Sequence, residues 1–126
     1  IGTNDIGSPG YCLEKLMERY EKIITEIQDK LSKVTIYMMA YYPVNETDKL
    51  MDKKDKMMFA TRTNANIDIA NAAVERLAAK MGCHFINVNA GLKDESGKLR
   101  KEFTVEGIHM YANGYQVVLN NLKKYL

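Results

Sequence analysis

Two short runs of β-branched and aromatic residues, each set between helical patterns, limit what this chain can fold into. The run VTIYMMAYYPV covers residues 34–44 and stops at Pro43, and the run CHFINV covers residues 83–88. The first run is nearly continuous rather than alternating, which predicts a strand buried on both faces. The second predicts another short strand. Strands that alternate with helices build a parallel sheet.

Three segments with apolar residues at three- and four-residue spacing predict helices around these strands. They cover residues 11–31, about 61–81 and about 112–124. Ser8 and Pro9 precede the first segment and suit a helix entrance. Gly82 follows the second segment, where a residue free to turn left-handed often ends a helix. The order helix–strand–helix–strand–helix therefore predicts an α/β protein, and 126 residues allow one domain at most.

The predicted sheet lacks a strand. Two parallel strands cannot cover three apolar-faced helices, and they leave long sheet edges open. The chain opens IGTNDIG, residues 1–7, which is typical of the carboxyl end of a strand running into a loop, with the strand itself encoded before Ile1. We therefore expect residues 1–126 to be a single domain fragment, the second half of a doubly wound domain. We expect the fragment to have the missing N-terminal half of the same domain as a partner.

Composition and charge exclude several functions. The 18 basic and 16 acidic residues are interspersed, the net charge is +2, and no basic stripe with interleaved aromatics indicates nucleic-acid binding. No apolar run reaches the length of a membrane span. Cys12 and Cys83 have no CxxC spacing, so we expect reduced, structural thiols.

The segment FTVEGIHMYANGY, residues 103–115, places Glu106 three residues before His109. In a tight turn, an acid at this spacing can bring its carboxylate to one imidazole nitrogen. The contact fixes the tautomer and leaves the other nitrogen free to act as a base. Taken alone, the spacing also fits a surface or capping histidine. A metal site built from Glu106, His109 and His84 is disfavoured, because His84 lies in a strand and the spacing matches no known ligand set.

Three features in this order resemble the SGNH (GDSL-type) hydrolases, a family of esterases and acylhydrolases. GTND, residues 2–5, is similar to the family's third block, Gly-x-Asn-Asp, and EGIHMYANGY, residues 106–115, is similar to the fifth, Asp-x-x-His. Between them lies the strand that ends at a proline. The resemblance covers essentially the whole chain. It implies a three-layer, flavodoxin-like, doubly wound parallel sheet, of which this chain holds only the C-terminal half.

The resemblance also implies roles for individual residues. The side-chain amide of Asn4 would donate a hydrogen bond to the oxyanion, which would lower the barrier by about 3 kcal/mol. His109 would be the general base, and Glu106 would orient it. The family usually has aspartate at the position of Glu106, so a shifted loop must absorb one extra methylene, and Gly107 would let that loop fold tightly. Asp5 is expected to have a structural part.

The residues that would contact substrate lie at the ends of the predicted strands. Gly2, Tyr41 and Tyr42 are expected to border the bound ester, where aromatic walls would suit a sugar ring. Aromatic residues at a strand end are, however, more often simply part of the core. Residues 45–58 are charged and methionine-rich, which leaves open a solvated loop, a short helix, or a mobile flap whose methionines adapt to an apolar group.

The nucleophile of the family is absent from the chain. Its serine lies in the first block, Gly-Asp-Ser, and Ser8, Ser32 and Ser96 all lack that context. The full-length protein is therefore expected to be a carboxylic ester hydrolase that forms a serine acyl-enzyme without a cofactor, and this chain alone to be inactive. Small acyl esters are the expected substrates, such as an acetylated sugar or a short lipid ester. The alternative is a non-catalytic binding or assembly module derived from the same fold.

Overall fold

Helices and strands alternate along the chain in the predicted order. The structure is a computed structural model that describes residues 1–47 and 57–126. Its elements are α1 (Thr3–Ile6), α2 (Leu13–Lys30), β1 (Tyr37–Met39), α3 (Asn64–Met81), β2 (His84–Ile86), a 3₁₀ helix (Lys101–Phe103) and α4 (Ala112–Leu122). Most of the methionine-rich segment 45–58 lies outside the described residues, so its alternatives stay open. Within the described ranges, no helix is long and apolar enough to cross a membrane.

The two strands form a parallel sheet. Tyr37 is opposite His84, and Met39 is opposite Ile86. The ladder extends beyond the strand ends, because the backbone N–H of Ala40 donates to the carbonyl of Ile86 at 2.9 Å. Parallel neighbours need a crossover connection, and α3 lies on it. The predicted parallel pairing through a helical crossover is confirmed.

The strand β1 is buried on one face only, so the prediction of burial on both faces is wrong. Met38 is fully buried, whereas Tyr37 is 44% exposed and Met39 is 36% exposed. The face of Met38 packs against α2 and α3 in one hydrophobic cluster, and the face of Tyr37 and Met39 stays open. The apolar character of Tyr37 and Met39, which suggested burial, is therefore not matched by a covering element over β1 among the described residues, although the same face is covered at β2.

Helices pack on both faces of the sheet, as in a doubly wound fold. On one face, Val74 of α3 and Ile24 of α2 are buried around Met38. On the other face, Val118 of α4 packs with Ile86 of β2 in a second cluster. Because successive residues of a strand point to opposite faces, the two faces of the sheet contribute to two separate hydrophobic cores.

Of the two helix ends predicted from the sequence, the end of α3 is confirmed and the entrance of α2 is wrong. Gly82 ends α3 in the left-handed region at φ 67°, as predicted, and Thr63 begins it by accepting a hydrogen bond from the N–H of Asn66 at 3.2 Å. Ser8 was expected at the entrance of α2, but α2 begins at Leu13 after a turn. Instead, the Ser8 hydroxyl donates to the carbonyl of Asn4 at 2.7 Å.

Side-chain amides on α3 hold the extended segment that follows β1. Asn71 accepts from the N–H of Tyr41 at 2.7 Å and donates to its carbonyl at 3.2 Å. Two turns earlier, Asn64 accepts from the N–H of Val44 at 3.1 Å and donates to its carbonyl at 2.8 Å. These amides satisfy backbone groups that would otherwise need a neighbouring strand. The segment therefore leaves the sheet without losing its hydrogen bonds.

Asn71→Ala is expected to lower the free energy of unfolding by about 2–3 kcal/mol, because it removes two hydrogen bonds and leaves the partly buried N–H of Tyr41 without its acceptor. Asn120→Ala is the matched control, since Asn120 is exposed on α4 and accepts a surface hydrogen bond from Gln116. The control should change stability by less than about 0.5 kcal/mol. Urea denaturation followed by circular dichroism measures both, and equal losses would contradict the role given to Asn71.

Candidate active site

A short turn between Thr104 and Met110 carries the predicted acid and base. These two residues form an isolated antiparallel bridge, and the N–H of Val105 donates to the carbonyl of His109 at 2.9 Å. The Thr104 hydroxyl closes the turn from inside, because it accepts from the N–H of Gly107 at 2.8 Å and donates to the carbonyl of His109 at 2.9 Å. Thr104 is buried, so the turn is anchored to the body of the protein.

Glu106 contacts the imidazole of His109. Its Oε1 lies 2.8 Å from Nδ1 of His109, and the same oxygen accepts the backbone N–H groups of Ile108 at 3.2 Å and His109 at 2.9 Å. The Glu106 side chain is 24% exposed and that of His109 is 74% exposed. The contact expected from the three-residue spacing is therefore present. It favours a proton on Nδ1 and leaves Nε2 for a second partner.

Gly107 is the residue through which this turn meets the segment after β1. Its φ is +100°, and its carbonyl accepts from the N–H of Asn45 at 2.8 Å. A Cβ at Gly107 would overlap the carbonyl of Asn45 and crowd the ring of Phe59. Asn45 is itself 2% exposed and donates its side-chain amide to the carbonyl of Leu99 at 2.9 Å. The close approach needs glycine on two counts, backbone conformation and space.

Asn4 lies on the exposed side of α1. The helix follows Gly2, and its apolar residue Ile6 is buried. Asp5 forms an exposed ion pair with Arg19 at 3.4 Å, a contact compatible with the structural part expected of it. The strand expected to end at Ile1 stays a prediction.

Arg62, which was not among the residues predicted from the sequence, contacts the helix that carries Asn4. It is 7% exposed, and its Nε donates to the carbonyl of Thr3 at 3.1 Å. Burial lowers the pKa of Arg62, and the negative charge of Glu106 opposes that shift. The carbonyl that precedes Asn4 is therefore held by a buried cation. No motif or spacing in the sequence singles out this arginine.

Helix α1 and the acid–base turn share one hydrophobic cluster. Ile6 of α1 and Val44 after β1 belong to the cluster, and Ile108 of the acid–base turn packs against it. The segments that carry Asn4 and His109 thus both pack on one cluster, which includes a residue of the segment that follows the carboxyl end of β1. Ligands of open α/β sheets bind at such ends.

The residues predicted to contact substrate pack against each other or against the two hydrophobic clusters. Tyr41 is 6% exposed, and its hydroxyl lies so close to Gly2 that a Cβ there would overlap it. Burial raises the pKa of Tyr41. Tyr42 is half-buried and packs against the second cluster. Both tyrosines line a cleft of about 320 Å³ together with Ile1. Tyr41 is therefore a core residue, and a role for the pair in substrate binding stays a prediction.

His84 and the serines take no part in the acid–base turn. The ring of His84 stacks on Tyr37 with the ring centroids 5.2 Å apart. In the described part of the chain, no three His, Cys, Asp or Glu residues form a group that could hold a metal ion. Ser8 donates to Asn4, and the Ser96 hydroxyl donates to Asp94 at 2.7 Å. Both cysteines, Cys12 and Cys83, are free thiols.

Fold and site together define a class: an α/β protein with helices on both faces of a parallel sheet and an acid–histidine pair near its carboxyl end. A model of the GDSL-like Lipase/Acylhydrolase family matches residues 1–117. The chain belongs to this family, and the predicted family resemblance is confirmed.

Solved structures support the same fold. A candidate platelet activating factor from Streptococcus pneumonia is 32% identical and superposes with a TM-score of 0.86, over 99% of this chain and 56% of that one. A GDSL-like lipase from Bacteroides thetaiotaomicron is 18% identical with a TM-score of 0.74, over 98% and 58% of the two chains. A candidate acylhydrolase from Bacteroides fragilis is 15% identical with a TM-score of 0.72, over 98% and 55%. The predicted fold, part of a flavodoxin-like doubly wound sheet, is confirmed.

The chain is also similar to part of a curated protein, N-acylneuraminate cytidylyltransferase from Escherichia coli O18:K1:H7. The two are 27% identical over 124 residues, which is 97% of this chain and 26% of that protein. The chain thus spans about a quarter of this relative, and 55–58% of the similar solved structures.

Gly107→Ala is expected to destabilise the protein by about 3 kcal/mol or more, because the alanine combines a strained positive φ with an overlap against backbone. Gly82→Ala is the matched control, with φ +67° but nothing within 4 Å of the added Cβ. It should cost only about 1 kcal/mol, the conformational part. Thermal and urea unfolding of both variants measure the difference, and equal losses would show that the contact with Asn45 is unimportant.

Proposed function

We propose that this chain supplies the general base and an oxyanion donor to a serine-dependent hydrolase of small acyl esters. The observation that carries the proposal is the contact between Glu106 and Nδ1 of His109, in a chain of the GDSL-like family. An imidazole fixed by a carboxylate on one nitrogen is suited to accept a hydroxyl proton on the other. The high exposure of the His109 ring leaves Nε2 accessible to such a hydroxyl.

In the proposed mechanism, Nε2 of His109 removes the proton of a serine hydroxyl as its oxygen attacks the ester carbonyl carbon. The carbonyl oxygen becomes an oxyanion, which accepts a hydrogen bond from the Asn4 amide. Glu106 stabilises the imidazolium. The tetrahedral intermediate then collapses, and His109 returns the proton to the departing alcohol. A water molecule, deprotonated in turn by His109, attacks the acyl-serine, and collapse of this second intermediate frees the acid while His109 returns the proton to the serine oxygen.

We propose that the nucleophile belongs to a segment encoded before Ile1, in the same domain. Ser8 and Ser96 are engaged in local hydrogen bonds, and the chain spans little more than half of the similar solved structures. A Gly-Asp-Ser block in that segment would complete the site, and a second block would add a glycine N–H to the oxyanion donor. The open face of β1 at Tyr37 and Met39 is where the remaining part of the domain would pack.

The proposed substrate is a small acyl ester, with an acetylated sugar or a short lipid ester as the candidates. The name of the curated relative refers to a sugar, which is one observation in favour of the carbohydrate ester. Hydrolysis of an acetylated sugar and of a short-chain lipid ester by the full-length protein, compared at equal concentration, distinguishes the two.

His109→Ala in the full-length protein is expected to lower kcat for a short aryl ester by several orders of magnitude, about 10³-fold or more, because no base remains to activate the nucleophile. The second histidine of the chain offers a matched control: His84→Ala removes an exposed ring that stacks on Tyr37. That variant should keep the wild-type rate. Wild-type turnover by His109→Ala would refute the assignment, and a wild type that neither hydrolyses esters nor reacts with a fluorophosphonate would favour a non-catalytic module.

Asn4→Ala is expected to lower kcat by about 10²- to 10³-fold with little change in KM, because an oxyanion donor acts in the transition state rather than on the bound ester. Asn120→Ala removes an exposed amide on α4 and should leave kcat unchanged. Steady-state kinetics on a short aryl ester provide both numbers. A rise in KM alone would mean that Asn4 binds substrate without stabilising the oxyanion.

A further inference from the structure

We propose that Asn45 is a positioning residue for the Glu106–His109 pair. Its side chain holds the chain at Leu99, and its main chain holds the turn at Gly107, next to the acid. The inference rests on the proposed function of the pair, and it adds a residue that contacts neither the ester nor the reacting atoms. Three observations carry it: the bond made by the side chain, the contact made by the main chain, and the local character of the turn's other hydrogen bonds.

The side-chain amide of Asn45 is buried and hydrogen-bonded. Its Nδ2 donates to the carbonyl of Leu99 at 2.9 Å, and both residues are buried, Asn45 being 2% exposed. The N–H of Leu99 donates in turn to the carbonyl of Val44 at 2.9 Å. Both main-chain polar groups of Leu99 are therefore paired with two adjacent residues after β1. A buried carbonyl is costly to leave unpaired, so these bonds strongly restrict where Asn45 can lie.

The main chain of Asn45 holds the turn at the residue that follows the acid. Its N–H donates to the carbonyl of Gly107 at 2.8 Å. Its own carbonyl lies so close that a Cβ at Gly107 would overlap it. Asn45 therefore fixes Gly107 by a hydrogen bond and by close contact. Because Glu106 directly precedes Gly107, a displacement of Asn45 would move the carboxylate that faces His109.

The other hydrogen bonds of the turn are local. The side chains of Glu106 and Thr104 bond within the turn itself. Among the described residues, the bond from Asn45 is the only hydrogen bond that joins residues 104–110 to a part of the chain before residue 99. Ile108 adds an apolar contact, which stabilises the turn but orients it little, because apolar attraction has no direction. The internal shape of the turn is thus its own, and its placement depends on Asn45.

The experiment uses the full-length protein and three substitutions of Asn45. Asn45→Ala removes the amide, and Asn45→Asp keeps the size of the side chain but offers the Leu99 carbonyl an ionised acceptor instead of a donor. Asn45→Ser keeps a small donor. Asn121→Ala is the matched control, because Asn121 is 7% exposed and its amide donates to the carbonyls of Val88 at 2.9 Å and Ala90 at 2.8 Å. Neither of those carbonyls belongs to the turn.

Three measurements separate positioning from stability. Thermal unfolding gives the stability of each variant, and ester hydrolysis gives kcat and KM. Long-range proton–nitrogen NMR correlation, recorded in mildly alkaline buffer, shows which nitrogen of an imidazole carries the proton, and it requires no activity. The contact with Glu106 favours the proton on Nδ1 of His109. His84, which stacks on Tyr37, is the internal reference in the same spectrum.

Asn45→Ala and Asn45→Asp are expected to lower kcat about ten- to hundredfold with KM changed less than about twofold, because small displacements of catalytic groups act on the transition state. In both variants His109 should lose part of its Nδ1-protonated population, while His84 keeps its wild-type signals. Asn45→Ser should fall between Asn45→Ala and wild type. Asn121→Ala should lose thermal stability but match wild type in kcat and in the His109 tautomer.

The proposal is wrong if Asn45→Ala and Asn121→Ala have the same kcat, if the His109 tautomer is unchanged in Asn45→Ala, or if the loss is confined to KM. If Asn45→Ala and Asn45→Asp do not fold, Asn45→Ser decides by the same criteria. If the wild type hydrolyses no ester, the proposed function fails, and the His109 tautomer still tests whether Asn45 positions the pair.

Discussion

The candidate site depends on how residues 41–45 satisfy their backbone hydrogen bonds after leaving the sheet. A strand that ends inside a protein exposes N–H and C=O groups that are costly to bury unpaired. Here the amides of Asn71 and Asn64 replace the missing strand neighbour at Tyr41 and Val44. The chain can then turn at Asn45, whose N–H donates to the carbonyl of Gly107. The position of the acid–base turn relative to the sheet follows from this one arrangement.

The elements and the acid–histidine contact could be predicted from the sequence because they are local. Apolar spacing identified the long helices, runs of β-branched and aromatic residues identified both strands, and a three-residue separation was enough to bring Glu106 to His109. The amide clamps and Arg62 could not be predicted, since they join residues 20 to 59 positions apart and leave no periodic pattern. Ser8 was misplaced for a different, local reason: a serine before a proline fits a helix entrance, but its hydroxyl donates to the carbonyl of Asn4, four residues earlier.

The replacement of the family's usual aspartate by Glu106 has a physical account in the turn itself. The longer side chain folds back over the backbone, so that one oxygen accepts two N–H groups as well as facing Nδ1. Ordering a flexible glutamate side chain costs rotamer entropy, and here three contacts, rather than one, offset that cost. The left-handed Gly107 and the buried Thr104 hydroxyl give the turn the tight shape that this requires. Glutamate therefore keeps the orienting geometry at the expense of a more constrained loop.

Stability alone does not account for the features gathered at this side of the molecule. An ion pair with a 74% exposed imidazole contributes little to folding, at most about 1 kcal/mol. Burying the Arg62 guanidinium and the Tyr41 hydroxyl, which has no hydrogen-bond partner within the described residues, is unfavourable. Features that violate ordinary packing rules collect at functional sites, where geometry matters more than stability. Their concentration around Asn4 and the Glu106–His109 turn is an argument, independent of sequence similarity, that this side of the protein is the one that acts on a ligand.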